Sequence, residues 1–158
     1  MTARFQKILR LTALTLLVGL VAIQFIRPAQ NLATGPQPHD IAAKYAVPAD
    51  VHGLLQRACY DCHSNTTKYP WYAAIQPVAW WLDAHVRDGK RHLNFSEFGG
   101  LTTKRAVSKL DEVIAEVEDG RMPLKSYTPM HPEARLTPDD IKKLVAWAEA
   151  LSDELAAN

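Results

Sequence analysis

The first hydrophobic pattern along the chain is an unbroken one. Leu11 to Ile26 is apolar apart from Thr12, Thr15 and Gln24, with Arg4, Lys7 and Arg10 before it and Arg27 and Pro28 after it. A run with no amphipathic period and this charge asymmetry reads as a membrane segment rather than a buried core helix. As a helix it would span about 24 Å against a hydrocarbon core of ~30 Å. Extension back to Ile8, with Arg10 snorkelling to the interface, makes up most of the difference. The preceding positive residues place the N-terminus, with Met1, in the cytoplasm and export the remainder. A cleaved signal peptide would need small residues after the run; Ile26 and Arg27 stand there instead, which favours an uncleaved anchor.

Beyond Pro28 the pattern changes. Residues 28–49 hold four prolines and read as an extended linker. From Asp50, as N-cap, Val51, Leu54, Leu55 and Ala58 recur at helical spacing up to the first cysteine. A loop with Tyr69, Trp71 and Tyr72 follows. A second helix is expected from about Pro77, with Gly89 as its stop, and "NFSEFGG" as a turn-rich connection. Ala106, Leu110, Val113, Ile114 and Val117 mark the clearest amphipathic helix, ended by Gly120. Residues 121–135 carry three prolines and predict irregular structure. Thr137 as N-cap, Pro138 at the first helical position, and Asp139 and Asp140 open a final helix whose apolar face is Ile141, Leu144, Val145, Ala148 and Leu151. No strand pattern or repeat is visible. The expected order is an anchor (1–27), a linker (28–49) and a small all-α domain (50–158). Long connections around few helices suggest that something other than side chains fills its centre.

Charge removes one class of partner. The net charge is +1, but four basic residues lie in 1–27, leaving 14 basic against 17 acidic residues beyond. A slightly acidic body offers no electrostatic footprint for nucleic acid.

The chemistry centres on "RACYDCHSN", which holds the chain's two cysteines, Cys59 and Cys62, with His63 directly after. A structural disulfide has no need of the histidine, and a two-residue gap strains the bridge. A thioredoxin-like dithiol belongs at a helix N-terminus after a strand. A zinc site lacks a second cysteine pair, although His52, His85, His92 or His131 could contribute. Covalent haem c accounts for every residue: the thiols add to the two porphyrin vinyl groups, and the adjacent imidazole becomes the proximal iron ligand. A haem would also fill the small domain's centre. For the sixth ligand, Met122 and Met130 share the Pro-rich loop. Met122 ranks first, because Pro123 fixes its backbone, with Met130 or His131 as alternatives. His85 is placed on the helix face opposite Trp81. Trp71, Tyr72, Trp80 and Trp81 are expected to wall the haem or core. Lys90 and Arg91 read as a solvated face, with a haem propionate as the other candidate partner.

Four stretches together resemble the bacterial haem-binding domain family, small exported proteins with one CxxCH motif. They are "QFIRP", "CYDCHSN" with "YPWYA", "WWLDAHVRDGKRHLNFSEF" and "RMPLKSYTPMHPEARLT". The resemblance implies haem attachment through Cys59 and Cys62 with His63 as axial ligand, and it favours Met122 over Met130. The expectation is a small cytochrome c-like helical domain around one covalent haem. It would be tethered to the bacterial inner membrane, face the periplasm, and exchange single electrons with periplasmic or membrane redox proteins. Asp61, Asp83 and Glu97 are not spaced as a paired-carboxylate site and no nucleophile–base pair stands out, which points to a carrier rather than an enzyme. A gas or redox sensor, or a peroxidase-like enzyme using His131 or Glu97, would need a labile or open sixth position.

Overall fold

The structure, a computed structural model, describes residues 3–157, so Met1 lies outside it. The described residues are helical, with one isolated bridge between Leu32 and Thr66. Among the described residues there are seven α-helices: α1 (Ala3–Ile23), α2 (Ile41–Lys44), α3 (Ala49–Ala58), α4 (Tyr60–His63), α5 (Val78–His92), α6 (Thr103–Glu118) and α7 (Pro138–Ala157). Short 3-10 helices occupy Trp71–Ala74, Phe95–Gly100 and Pro132–Ala134. The chain clusters into two compact units. One holds the residues up to Gln30 with Lys68–His85; the other holds Asn31–Thr67 and the residues from Val86 onward.

In the first unit, α1 is long and apolar enough to cross a membrane, and none of its residues is buried. Its end is bonded to the aromatic segment. Gln76, 2% exposed, donates its backbone N–H to Gln24 Oε1 (2.9 Å) and its side-chain amide to the Ile26 carbonyl (2.8 Å). The Trp80 indole N–H donates to the same carbonyl at 3.0 Å. Carbonyls just past a helix end lack intrahelical partners, and Gln76 and Trp80 supply them. The expectation that the tryptophans wall a core fails here for two of them: Trp71 and Trp81 are exposed. His85 lies against Trp81, with ring centroids 4.2 Å apart, and not on the opposite face. Residues four apart on a helix share a face.

In the second unit, the core is contiguous and made of side chains: Ile41, Leu55, Phe95, Phe98, Leu110 and Leu144 are all 0–1% exposed. The segments expected to be connections supply three of these. Ile41 comes from α2, whose N-terminus is capped by Asp40 accepting from the Ala42 N–H (2.9 Å), and Phe95 and Phe98 come from the 3-10 helix after Asn94. Side chains from α2, α3, the Phe95–Gly100 turn, α6 and α7 thus meet in one contiguous core. A four-residue helix and a 3-10 turn carry too little periodicity to be seen as core elements.

The C-terminal hairpin of α6 and α7 matches its pattern. Ala106, Leu110 and Val117 are buried on α6, and Leu144, Val145, Ala148 and Leu151 on α7. Gly120 ends α6 with φ +62°, a conformation costly for residues with a Cβ. Thr137 and Asp140 cap α7 reciprocally: Thr137 Oγ1 accepts from the Asp140 N–H (3.1 Å), and Asp140 Oδ2 accepts from the Thr137 N–H (2.9 Å). At α3 the cap moves, because Pro48 is the N-cap and Asp50 lies in the first turn. Gly89 does not stop α5, which runs on to His92.

Phe98→Ala should lower the free energy of unfolding by about 3–5 kcal/mol, while exposed Lys142→Ala on α7 should stay within about 0.5 kcal/mol. Denaturant melts of the detergent-solubilised chain, followed by circular dichroism, measure both.

Candidate functional site

All the residues described in this subsection lie in the second unit. The helix entering the cysteine motif breaks inside it. Cys59, at φ −124° and ψ −43°, ends α3 and begins α4, so Cys62 and His63 stand on a separate helical turn. Cys59 and Cys62 are free and part-buried. Burial pushes the Cys59 thiol up to about 12 and the Cys62 thiol up to about 11, with the Cys62 sulfur and the Asp61 carboxylate as respective secondary causes. These are thiols at neutral pH. A redox dithiol of the thioredoxin kind needs the opposite shift, toward a thiolate.

His63 has one ring nitrogen committed. Its Nδ1 lies 3.0 Å from the Leu93 carbonyl oxygen, which can only accept, so Nδ1 carries the proton and Nε2 keeps its lone pair. Burial lowers the imidazole's affinity for a second proton, against the Leu93 and Gly89 carbonyls, which raise it. A neutral imidazole with its far nitrogen held by a backbone carbonyl is the arrangement that presents a ligand to a metal.

The Leu93 carbonyl is available because it lies just past α5. The Leu93 N–H still closes the last helical turn onto the Gly89 carbonyl (2.9 Å). Gly89 itself sets the approach: a Cβ built there would stand 2.6 Å from the Cys62 carbonyl oxygen. That contact, not a helix stop, is what the glycine serves.

The residues after the motif are zipped to those after α5. The Asn65 backbone N–H donates to Ser96 Oγ (3.1 Å), its side-chain Nδ2 donates to Glu97 Oε1 (2.7 Å), and its side-chain Oδ1 accepts from Asn94 Nδ2 (2.8 Å). Asn31 donates to the Ser64 carbonyl (2.8 Å) and to Thr67 Oγ1 (2.9 Å), and Thr67 Oγ1 donates to the Asp61 carbonyl (2.7 Å). Lys90 donates to Asn31 Oδ1 at 2.6 Å, so it belongs to this network and not to a solvated face. Ser64, Thr67 and Ser96 are buried. A fully paired buried network of this kind fixes one backbone geometry.

The Pro-rich loop reaches the motif through Tyr127. Its hydroxyl donates to Asp61 Oδ2 at 2.6 Å, and its ring stacks on His131 with centroids 4.0 Å apart. Burial and the Asp61 carboxylate both raise the Tyr127 phenol above its ordinary range. Arg57, two residues before Cys59, holds the far end of the loop. It donates to the Glu133 and Arg135 carbonyls and pairs with Asp140 at 2.8 Å. On the other side of the motif, Tyr60 stacks on Phe95 (5.5 Å) and bonds Asp40. Met122 is half-buried in the turn after α6, its N–H donating to the Glu116 carbonyl, while Met130 is 58% exposed.

Arg57, Tyr127, Gly89 and Leu93 are the residues that sequence reasoning missed. All four stand inside the stretches that carry the motif or the resemblance, yet nothing in their spacing shows the partner. The donor set suits a haem: two protonated thiols and a neutral imidazole on one short turn. Among the described residues no group of three or more His, Cys, Asp and Glu side chains is arranged to hold a metal ion alone, which leaves the zinc reading unsupported.

Comparison with known proteins points to the same cofactor. The sequence model described as "Haem-binding domain" matches residues 18–150. No curated protein matched the chain. No solved structure did either.

Two glycines give a matched test. Gly53, inside α3, has open space at its Cβ position, so Gly53→Ala should stabilise the chain by up to about 1 kcal/mol. Gly89→Ala, also inside a helix, should instead destabilise by about 1–3 kcal/mol because the Cys62 carbonyl must move. Paired denaturant melts read the difference in sign.

Proposed function

The chain belongs to the haem-binding domain family, and from that premise we propose that it is a membrane-anchored, single-haem c-type cytochrome that passes single electrons. Cys59 and Cys62 would hold the haem through thioether bonds, and His63 would ligate its iron through Nε2. When bound, the haem supplies a one-electron iron couple. The observation that carries the reading is the His63 to Leu93 hydrogen bond, which fixes the tautomer and leaves Nε2 as the free donor.

The chain's own residues do the remaining work. Gly89 and Leu93 set the imidazole's position, and the Asn65 network holds the backbone behind it. Asp61 and Tyr127 pin the Pro-rich loop to the motif. Met122 is the proposed sixth ligand, supported by its partial burial and by the exposure of Met130. His131 is the competing donor, because its ring stacks on the tyrosine that bonds the motif. The helix α1 would hold the protein in the bacterial inner membrane with the haem domain in the periplasm. Its partners there would be periplasmic or membrane redox proteins, which the basic N-terminal flank supports by orientation only.

The full chain should be produced with a haem c maturation system and its spectra recorded with and without carbon monoxide, beside Met122→Ala and His131→Ala. A low-spin reduced protein that ignores carbon monoxide, and binds it only in Met122→Ala, is the expected result. A native protein that already binds carbon monoxide would contradict the carrier reading and bring sensing or peroxidase chemistry forward.

A further inference from the structure

The first unit carries an apolar surface that its own interior does not use. Phe25 is 83% exposed, Ile26 61%, Trp71 74%, and Ile75 and Trp81 about 45% and 44%. Large apolar side chains left in water at this density mark a contact surface. These five are not scattered along a loose loop. Gln24 and the Ile26 carbonyl, just past α1, are hydrogen-bonded to Gln76 and Trp80. Trp71 lines one cleft together with Arg27 and Pro28. The aromatic segment is therefore fastened at the point where α1 ends.

We propose that Phe25, Ile26, Trp71, Ile75 and Trp81 form a shelf seated in the headgroup layer of the bilayer that α1 crosses. The proposal rests on the anchor reading of α1 and on no statement about haem. Its occupant is a phospholipid interface, for two reasons on the page. The shelf is continuous with the one helix among the described residues that is long and apolar enough to span a membrane. Its composition is also that of an interfacial belt: indole rings with an apolar body and a polar N–H, and a cation, Arg27, four residues beyond the end of α1. A segment fastened there would gain contact with lipid at a reduced entropic cost of association, because α1 would already hold it at the surface.

The test uses the full chain in phosphatidylethanolamine–phosphatidylglycerol vesicles, labelled with 5-fluorotryptophan. The resonances are assigned with Trp→Phe variants at positions 71, 80, 81 and 147. A nitroxide on the lipid headgroup should broaden the Trp71 and Trp81 signals, and a water-soluble paramagnetic agent should leave them sharp. Trp147, buried in the second unit's core, is the internal control for both agents. Broadening by the soluble agent alone overturns the shelf. Signals untouched by either agent also overturn it and point to a contact with a second copy of the chain. An alkaline wash of the vesicles separates the two readings: release of the chain refutes the anchor and the shelf together, whereas retention with water-exposed Trp71 and Trp81 refutes the shelf alone.

Discussion

An imidazole can offer one nitrogen reliably only when the other is spoken for, and in this chain the Leu93 carbonyl speaks for Nδ1 of His63. Much of the second unit's local structure follows from that 3.0 Å contact. Leu93 must lie just beyond a helix end, where its carbonyl has no intrahelical donor. The helix must come close enough to the motif for the carbonyl to reach, and only glycine at position 89 permits that approach to Cys62. The chain leaving each side must then be held, which Asn65, Asn94 and Ser96 accomplish by bonding across.

The same logic separates two kinds of stability in the molecule. The α6–α7 hairpin, the Phe95–Phe98 turn, Ile41 of α2 and the buried face of α3 together form one contiguous side-chain core. The motif lies against its edge: Cys59 and Tyr60 pack on the core only in part. A prosthetic group at that edge would extend an existing core, and would not be the reason for having one. That is a different picture from a small helical domain with an empty centre.

Much of the fold was legible where periodicity is long. The α6 stripe, its Gly120 terminus and the Thr137 cap of α7 all came from spacing and residue type, and each is local. The motif was legible because Cys59, Cys62 and His63 are neighbours in sequence. What escaped was every relation between distant residues. Gly89 reads as a helix stop until the Cys62 carbonyl is placed beside it. Lys90 reads as a solvated charge until Asn31 is found within reach. Tyr127 is one of five tyrosines until its hydroxyl meets Asp61. The short helix at Ile41 and the 3-10 turn at Phe95 are too brief to show a period, so their core residues read as linker and turn in the sequence.

The covalent haem attachment proposed for the Cys59–Cys62–His63 turn is read by intact mass spectrometry after acidic acetone extraction. The chain, matured with a haem c system, should keep one haem's mass through extraction. Cys59→Ala and Cys62→Ala should each weaken that retention, and the double variant should abolish it. A chain that gives up all its haem to the solvent, or that carries none while its two cysteines react as ordinary thiols, would contradict the account.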